Sequence, residues 1–238
     1  MIYIMSDIHG CYEEYIELLK KIKFSDRDEL YVLGDVVDRG PAPIKVLQDM
    51  MLRVNVFPII GNHDLVALLM LRKFSEEVTE ENAESYLSDD DIEEYMQWIQ
   101  EGGQTTVEEY LKLNQEERED ILDYLEEFFA YHEINRNGKR YILVHATLNN
   151  FDENKELEDY NLQDLLFYRM DYSKRYFSDE NTYIISGHTP TSIIREDKKP
   201  LVYEEKGHIG IDCGCVFGGK LAAYCLDTGE THYVEARK

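Results

Sequence analysis

Apolar positions along the first 75 residues switch between two periods. "MIYIM" is a short continuous apolar run that predicts a buried strand. It is followed by Tyr12, Tyr15, Ile16, Leu19 and Ile22 at helical spacing in "CYEEYIELLKKI". The alternation repeats: "LYVLGDVVDRG" opens as a strand, and "PIKVLQDMML" predicts a helix starting near Pro43. "NVFPII" reads as a third strand and "LVALLMLRKF" as a third helix. Strand and helix in strict alternation predict an α/β fold with parallel strands, and such sheets carry their ligands beyond the carboxyl ends of the strands.

Between Ser75 and Ala130 the pattern becomes helical and acidic. "EEVTEENAESYLSDDDIEEYMQWIQ" and "NQEEREDILDYLEEFF" are separated by the break "EGGQTT". The expectation is a helical insertion at 75–130 with its acids in solvent and Tyr95, Trp98, Leu122 and Phe129 turned inward. Strands return at "KRYILVHA" and "NTYIISGH". The remainder is β-rich, with "DTGE" as a tight turn between two strands. Without repeats or linkers, residues 1–238 read as one domain.

Charge narrows the partners. The 49 Asp and Glu against 25 Lys and Arg give a formal net charge of −24, which argues against nucleic acid polymers and anionic membranes. A content of 43% hydrophobic residues fits a folded protein. No apolar run reaches the length of a membrane span, and the N-terminus lacks the basic region of a signal peptide, so the expected location is cytoplasmic. Cys11, Cys213, Cys215 and Cys225 are then expected as thiols, because one C-x-C without a second pair is a poor zinc signature.

Chemistry gathers at the predicted strand ends, in "SDIHG", "GDVVDRG", "GNHD", "YILVHA" and "YIISGH". The Asp-x-His of the first raises the question of a metal, since Asp7 and His9 point the same way if strand geometry continues through them. Alone the pair is a weak signal. The set Asp7, His9, Asp35, Asn62, His145 and His188 is stronger, and it combines imidazole, carboxylate and amide oxygen. Such donors suit two hard or borderline divalent ions, with Asp35 able to bridge them.

The series "SDIHG…GDVVDRG…GNHD…VHA…SGHTP" closely resembles, in order, the motifs of the phosphoprotein phosphatase family of metallophosphoesterases. "GIDCGCVFGGKLAAYCLD" resembles the closing strands of its small bacterial and phage members. The resemblance implies a calcineurin-like sandwich of two mostly mixed β-sheets flanked by helices. It implies one metal site from Asp7, His9, Asp35 and His188, and a second from Asp35, Asn62 and His145. Manganese is the expected ion, with iron, zinc or nickel as alternatives. It further implies that Asp38 orients His63 as general acid and that Arg39 and Arg169 hold phosphate oxygens. Arg169 lies in "LLFYRMDY", similar to a W-x-R element with Phe167 in the tryptophan place, and Arg175 is its rival. Ser6 stands where the family has glycine, a small change expected to matter little. Asp64 replaces a glutamate, as in the symmetrical diadenosine tetraphosphatases.

The implied mechanism is direct attack on phosphorus by a metal-bridging hydroxide, with no covalent phosphoenzyme. The first reading of the substrate is a phosphoserine or phosphothreonine monoester on protein. The alternative is diadenosine tetraphosphate, split to two ADP. A metal-binding module without catalysis is a third, disfavoured by the intact His63, Asp38 and Arg39. The sequence says nothing of oligomeric state.

Overall fold

The computed structural model describes residues 1–75 and 87–237. In chain order the elements are β1 (Ile2–Met5), α1 (Tyr12–Lys21), β2 (Glu29–Leu33), α2 (Pro43–Met51), β3 (Val56–Ile59) and α3 (Asn62–Ser75). Then come α4 (Asp89–Trp98), α5 (Gln104–Tyr110), α6 (Gln115–Glu126), β4 (Tyr131–Arg136), β5 (Lys139–Val144) and α7 (Leu162–Leu166). The chain continues with β6 (Thr182–Ser186), α8 (Thr191–Ile194), β7 (Tyr203–Glu205), β8 (His208–Gly210), β9 (Lys220–Cys225) and β10 (Thr231–Glu235). Among the described residues no helix is long and apolar enough to cross a membrane.

Two five-stranded mixed sheets result, ordered β10-β9-β1-β2-β3 and β4-β5-β6-β8-β7. β1, β2 and β3 pair in parallel, as do β5, β6 and β8. The apolar runs are continuous because both faces of these strands are covered. In β2, Tyr31 and Leu33 face the second sheet, meeting Leu143, Ile185 and Ile209 in one cluster. Leu30 and Val32 face the helices and join Tyr15, Leu18, Leu47 and Met50 in another. Side chains such as Leu33 and Leu47 are fully buried, each worth roughly 1.5–3 kcal/mol relative to exposure.

The acidic segment departs from expectation at Phe129. Trp98 and Leu122 are buried, but Phe129 is 47% exposed. Its backbone is used instead: Phe129 N donates to Pro58 O at 3.0 Å and its carbonyl accepts from Ile60 N at 2.8 Å, which seats it beside β3 and turns the ring outward. The helix expected across "EEVTEENAESYL" begins within residues 76–86, which lie outside the described residues. α4 starts after a capping box in which Ser88 accepts from Asp91 N. β4 was not expected. It forms a hairpin with β5 through Asn137 and Gly138, at φ 53° and 73°, the pair of left-handed residues that a type I′ turn requires.

Candidate active site

Asp7 and His9 follow β1, Asp35 to Arg39 follow β2, and Asn62 opens α3 immediately after β3. His145 and His188 follow β5 and β6, and Asp212 follows β8. Six parallel strand ends from two sheets thus converge. The backbone there is not strand-like: Asp7 (φ 50°), His9 (43°), Asp35 (52°), Asp38 (70°), Arg39 (67°) and His188 (63°) all lie in the left-handed region. The expectation that persisting strand geometry aligns Asp7 with His9 is therefore corrected. Each such residue costs on the order of 1–3 kcal/mol and persists only where the surroundings over-determine it. Here cross-loop bonds do so: Asp7 N donates to Gly34 O (3.0 Å), His9 N to Asp35 O (2.8 Å) and Gly10 N to Val36 O (2.9 Å).

The side chains form two groups around Asp35. Its Oδ2 lies 3.4 Å from His9 Nε2, and its Oδ1 lies 3.5 Å from His145 Nε2. In the second group, Asn62 Oδ1 is 2.9 Å from both His145 Nε2 and His188 Nδ1, and those two nitrogens are 3.2 Å apart. His9 Nδ1 faces Val37 O and His145 Nδ1 faces Leu33 O, each at 2.8 Å. A carbonyl can only accept, so Nδ1 carries the proton in both rings and each Nε2 presents a lone pair. Lone-pair atoms packed this closely, all nitrogen and oxygen, suit divalent cations.

The expected place of His188 beside Asp7 is met by its backbone alone. His188 N donates to Asp7 at 3.0 Å, while the ring joins Asn62 and His145. Donor atoms of His9, Asp35 and His63 also fall within 4.8 Å of one another. His63 differs from His9 and His145 in what holds it: its Nδ1 faces a carboxylate, Asp38 Oδ2 at 2.7 Å, rather than a backbone carbonyl.

Asp38 is held from elsewhere in the chain. Trp98 Nε1 donates to Asp38 Oδ2 at 2.8 Å, and Thr106 Oγ1 to Oδ1 at 2.6 Å. Arg39 N donates to Gly102 O at 2.9 Å, at the kink between α4 and α5 where Gly102 takes φ 117°. The Arg39 guanidinium spans the cavity, with Nη1 2.5 Å from His9 Nε2 and Nη2 2.6 Å from His63 Nε2. The cavity, about 440 Å³, is lined by Asp7, Asp35, Asn62, His63, Arg39 and Arg169, among others.

Burial holds the pKa of His9 down at about 3, and burial with the neighbouring His145 does the same for His188. Both rings are neutral, as ligation requires. His63 differs: burial opposes its charge, but Asp35 and the bond to Asp38 outweigh it and hold the ring above the usual histidine value. Burial, with Asp212 and Asp35 nearby, drives Asp7 well above the carboxylate range. For Asp35 burial works upward, but the surrounding imidazoles outweigh it and its pKa lies below the ordinary carboxylate value.

Sequence comparison agrees with this arrangement. The profile of the calcineurin-like phosphoesterase family matches residues 1–225. The chain belongs to the calcineurin-like phosphoesterase family. A protein of Buchnera aphidicola subsp. Schizaphis graminum named symmetrical bis(5'-nucleosyl)-tetraphosphatase is 40% identical over 100 residues, 41% of this chain and 37% of that protein. One of the same name from Erwinia tasmaniensis is 34% identical over 113 residues, 47% of this chain and 41% of the relative. The aligned stretch spans less than half the length of either relative. A solved structure described as a candidate diadenosine tetraphosphatase superposes with a TM-score of 0.64 at 21% identity, covering 100% of this chain and 94% of that one. A serine/threonine phosphatase from Saccharomyces cerevisiae gives 0.59 at 14%, covering 100% and 80%. At these identities the structural likeness speaks for the fold alone.

Within this calcineurin-like phosphoesterase, several residues do more or less than the motifs suggest. Arg169 lines the cavity, whereas Arg175 is bonded to the carbonyls of Phe177, Asp179 and Thr182 and is structural. The Ser6 hydroxyl, absent where the family has glycine, lies against Asp7 Oδ2. Asp64 ties the loops after β2 and β3 together by accepting from Val36 N (2.9 Å), Val37 N (3.2 Å) and Gly61 N (3.0 Å). Burial and the charge of Asp35 push its pKa up to about 7 against those bonds. Asp212, also on the cavity wall, is pushed by burial to about 7. It was not anticipated, although "GHIGID" ends a strand in an aspartate as "MIYIMSD" nearly does.

Proposed function

We propose that the protein is a metal-dependent hydrolase of dinucleoside tetraphosphates, cleaving diadenosine tetraphosphate symmetrically to two ADP. The observation that carries phosphoester hydrolysis is the convergence of two N/O donor groups on Asp35, with the Asp38–His63 couple and two arginines facing the same cavity. The relatives' shared name supports the dinucleotide as substrate. The reading as a protein serine/threonine phosphatase becomes secondary, because its support is a fold likeness at 14% identity.

The residues fit two divalent ions. Asp7, His9 and Asp35 would hold one, and Asp35, Asn62, His145 and His188 the other. When bound, such ions supply Lewis acidity to phosphate oxygens and lower the pKa of coordinated water. The chain does the rest. Arg39 and Arg169 orient the phosphoryl group and balance its charge. A water oxygen forms the new bond to phosphorus as the bridging P–O bond breaks, and the water's proton passes to solvent. His63, charged against Asp38, gives its proton to the departing ADP oxygen. Arg39 must first leave its bridge between His9 and His63 for the substrate phosphate, which frees His63 Nε2 to carry that proton. Asp38 keeps the ring aligned through its bond to Nδ1.

The test offers manganese-loaded protein diadenosine tetraphosphate and a phosphothreonine peptide separately, with products resolved by chromatography. Two ADP from the dinucleotide is the expected result. Phosphate from the peptide with the dinucleotide left whole would overturn the reading.

A further inference from the structure

A second cavity of about 390 Å³ opens next to the first, and Asn62 and His63 line both. His63 therefore borders both spaces. Their linings differ in chemistry. Arg39 and Arg169 serve the first. Among the described residues, the second has no cation: it is walled by Leu69 and Met70 of α3, by Glu94, Gln97 and Trp98 of α4, and by Phe167. Leu69 is 54% exposed and Phe167 is 38% exposed, so both offer apolar surface to an occupant.

We propose that this cavity binds the nucleoside of the departing half of the substrate. The inference rests on the function proposed above and adds a site to it. A general acid must lie on the leaving-group side of the phosphorus, and the space beyond His63 on that side is this cavity. Phosphates are disfavoured there, since two carboxylates, Glu94 and Glu101, line it without a positive partner. A base and ribose are favoured: a flat, largely apolar ring fits against Phe167 and Leu69. Exocyclic amine and ribose hydroxyl donors find carboxylate acceptors in Glu94 and Glu101. The phosphates stay with the arginines and the nucleoside crosses to the acidic, apolar side. α4 thus has two duties, one face reaching Asp38 through Trp98 and another walling the nucleoside site.

The chain's single tryptophan, Trp98, lies in this wall and reports on it directly. Manganese-loaded protein is titrated with ADP and, separately, with pyrophosphate, following tryptophan emission. ADP is expected to change the emission with saturation, and pyrophosphate is not. Phe167→Ala and Leu69→Ser should each weaken the ADP response roughly tenfold, the scale of one lost stacking contact. They should also lower the ratio of dinucleotide to phenyl phosphate turnover by a similar factor. Equal responses to ADP and pyrophosphate would overturn the inference. So would variants that bind ADP like the wild type, or a response to a phosphothreonine peptide but not to ADP. Failure of the broader reading looks different: no ADP is formed from the dinucleotide at all, whatever the fluorescence shows.

Discussion

Trp98 Nε1 and His63 Nδ1 share one acceptor, Asp38 Oδ2, at 2.8 and 2.7 Å. Thr106 takes the other oxygen at 2.6 Å. The acidic helical segment, whose charged face is solvated, thereby supplies two donors that fix the carboxylate behind the proposed general acid. Asp38 is fully buried, and a carboxylate there needs its lone pairs satisfied.

Trp98→Phe keeps an aromatic side chain and removes the donor. It is expected to lower kcat for the dinucleotide about 10–100-fold, the usual effect of losing a residue that orients a catalytic group through a hydrogen bond. Thr106→Val should act in the same direction. Steady-state kinetics with circular dichroism as a folding control checks both. Unchanged kcat in the two variants would mean that Asp38 does not depend on them.

Removing divalent cations should destabilise the fold. Asp7, Asp35 and Asp212 are buried near one another, and their mutual repulsion is relieved by a bound cation. A ligand at a hundred times its Kd stabilises by about 2.7 kcal/mol. For a chain of this size that corresponds to a Tm rise of about 5–10 °C, read by calorimetry with and without chelator. An identical Tm in both conditions would contradict the ligand assignment.

Gly187 is a packing constraint on the first donor group. A Cβ there would overlap the Ser6 hydroxyl and the Asp7 carboxylate. Gly187→Ala is expected to weaken metal binding and lower Tm. Adding Ser6→Gly should recover part of the loss, with a coupling of about 0.5 kcal/mol or more between the two sites. Additive effects in thermal melts would show that the clash lies elsewhere.

His208 gives the protein an acid-sensitive point away from the metal ligands. It is buried, its Nε2 donates to Lys174 O at 2.8 Å, and its Nδ1 has no partner among the described residues. Burial holds its pKa below the ordinary 6.5, although the bond to Lys174 pulls the other way. The unfolded chain therefore takes up the proton first as pH falls. The stability contributed by the neutral ring is complete above pH 6.5 and is lost progressively below it. The advantage of wild type over His208→Gln in urea melts should shrink from pH 7.5 to about pH 5.5. A gap that widens on acidification would reverse the sign.

The strands were legible because they are covered on both faces, which leaves unbroken apolar runs such as Ile2–Met5. The motif residues were legible because each ends such a run. What was hidden is non-local. Trp98 and Thr106 reach Asp38 across 60 and 68 residues, and no local pattern announces that. The grouping of His188 was hidden for another reason: its backbone and side chain serve different neighbours, and a strand end specifies only the first. β4 was missed because "YHEINR" is polar on its outer positions, although Asn-Gly after it was a usable hairpin signal.

Two donor groups share Asp35. Calorimetric titration of metal-free protein with Mn²⁺ tests it most directly. Wild type should bind two ions per chain, and Asp35→Asn should bind no more than one with undiminished affinity. Saturation of wild type at a single ion, or two unchanged sites in Asp35→Asn, would contradict the shared-carboxylate centre.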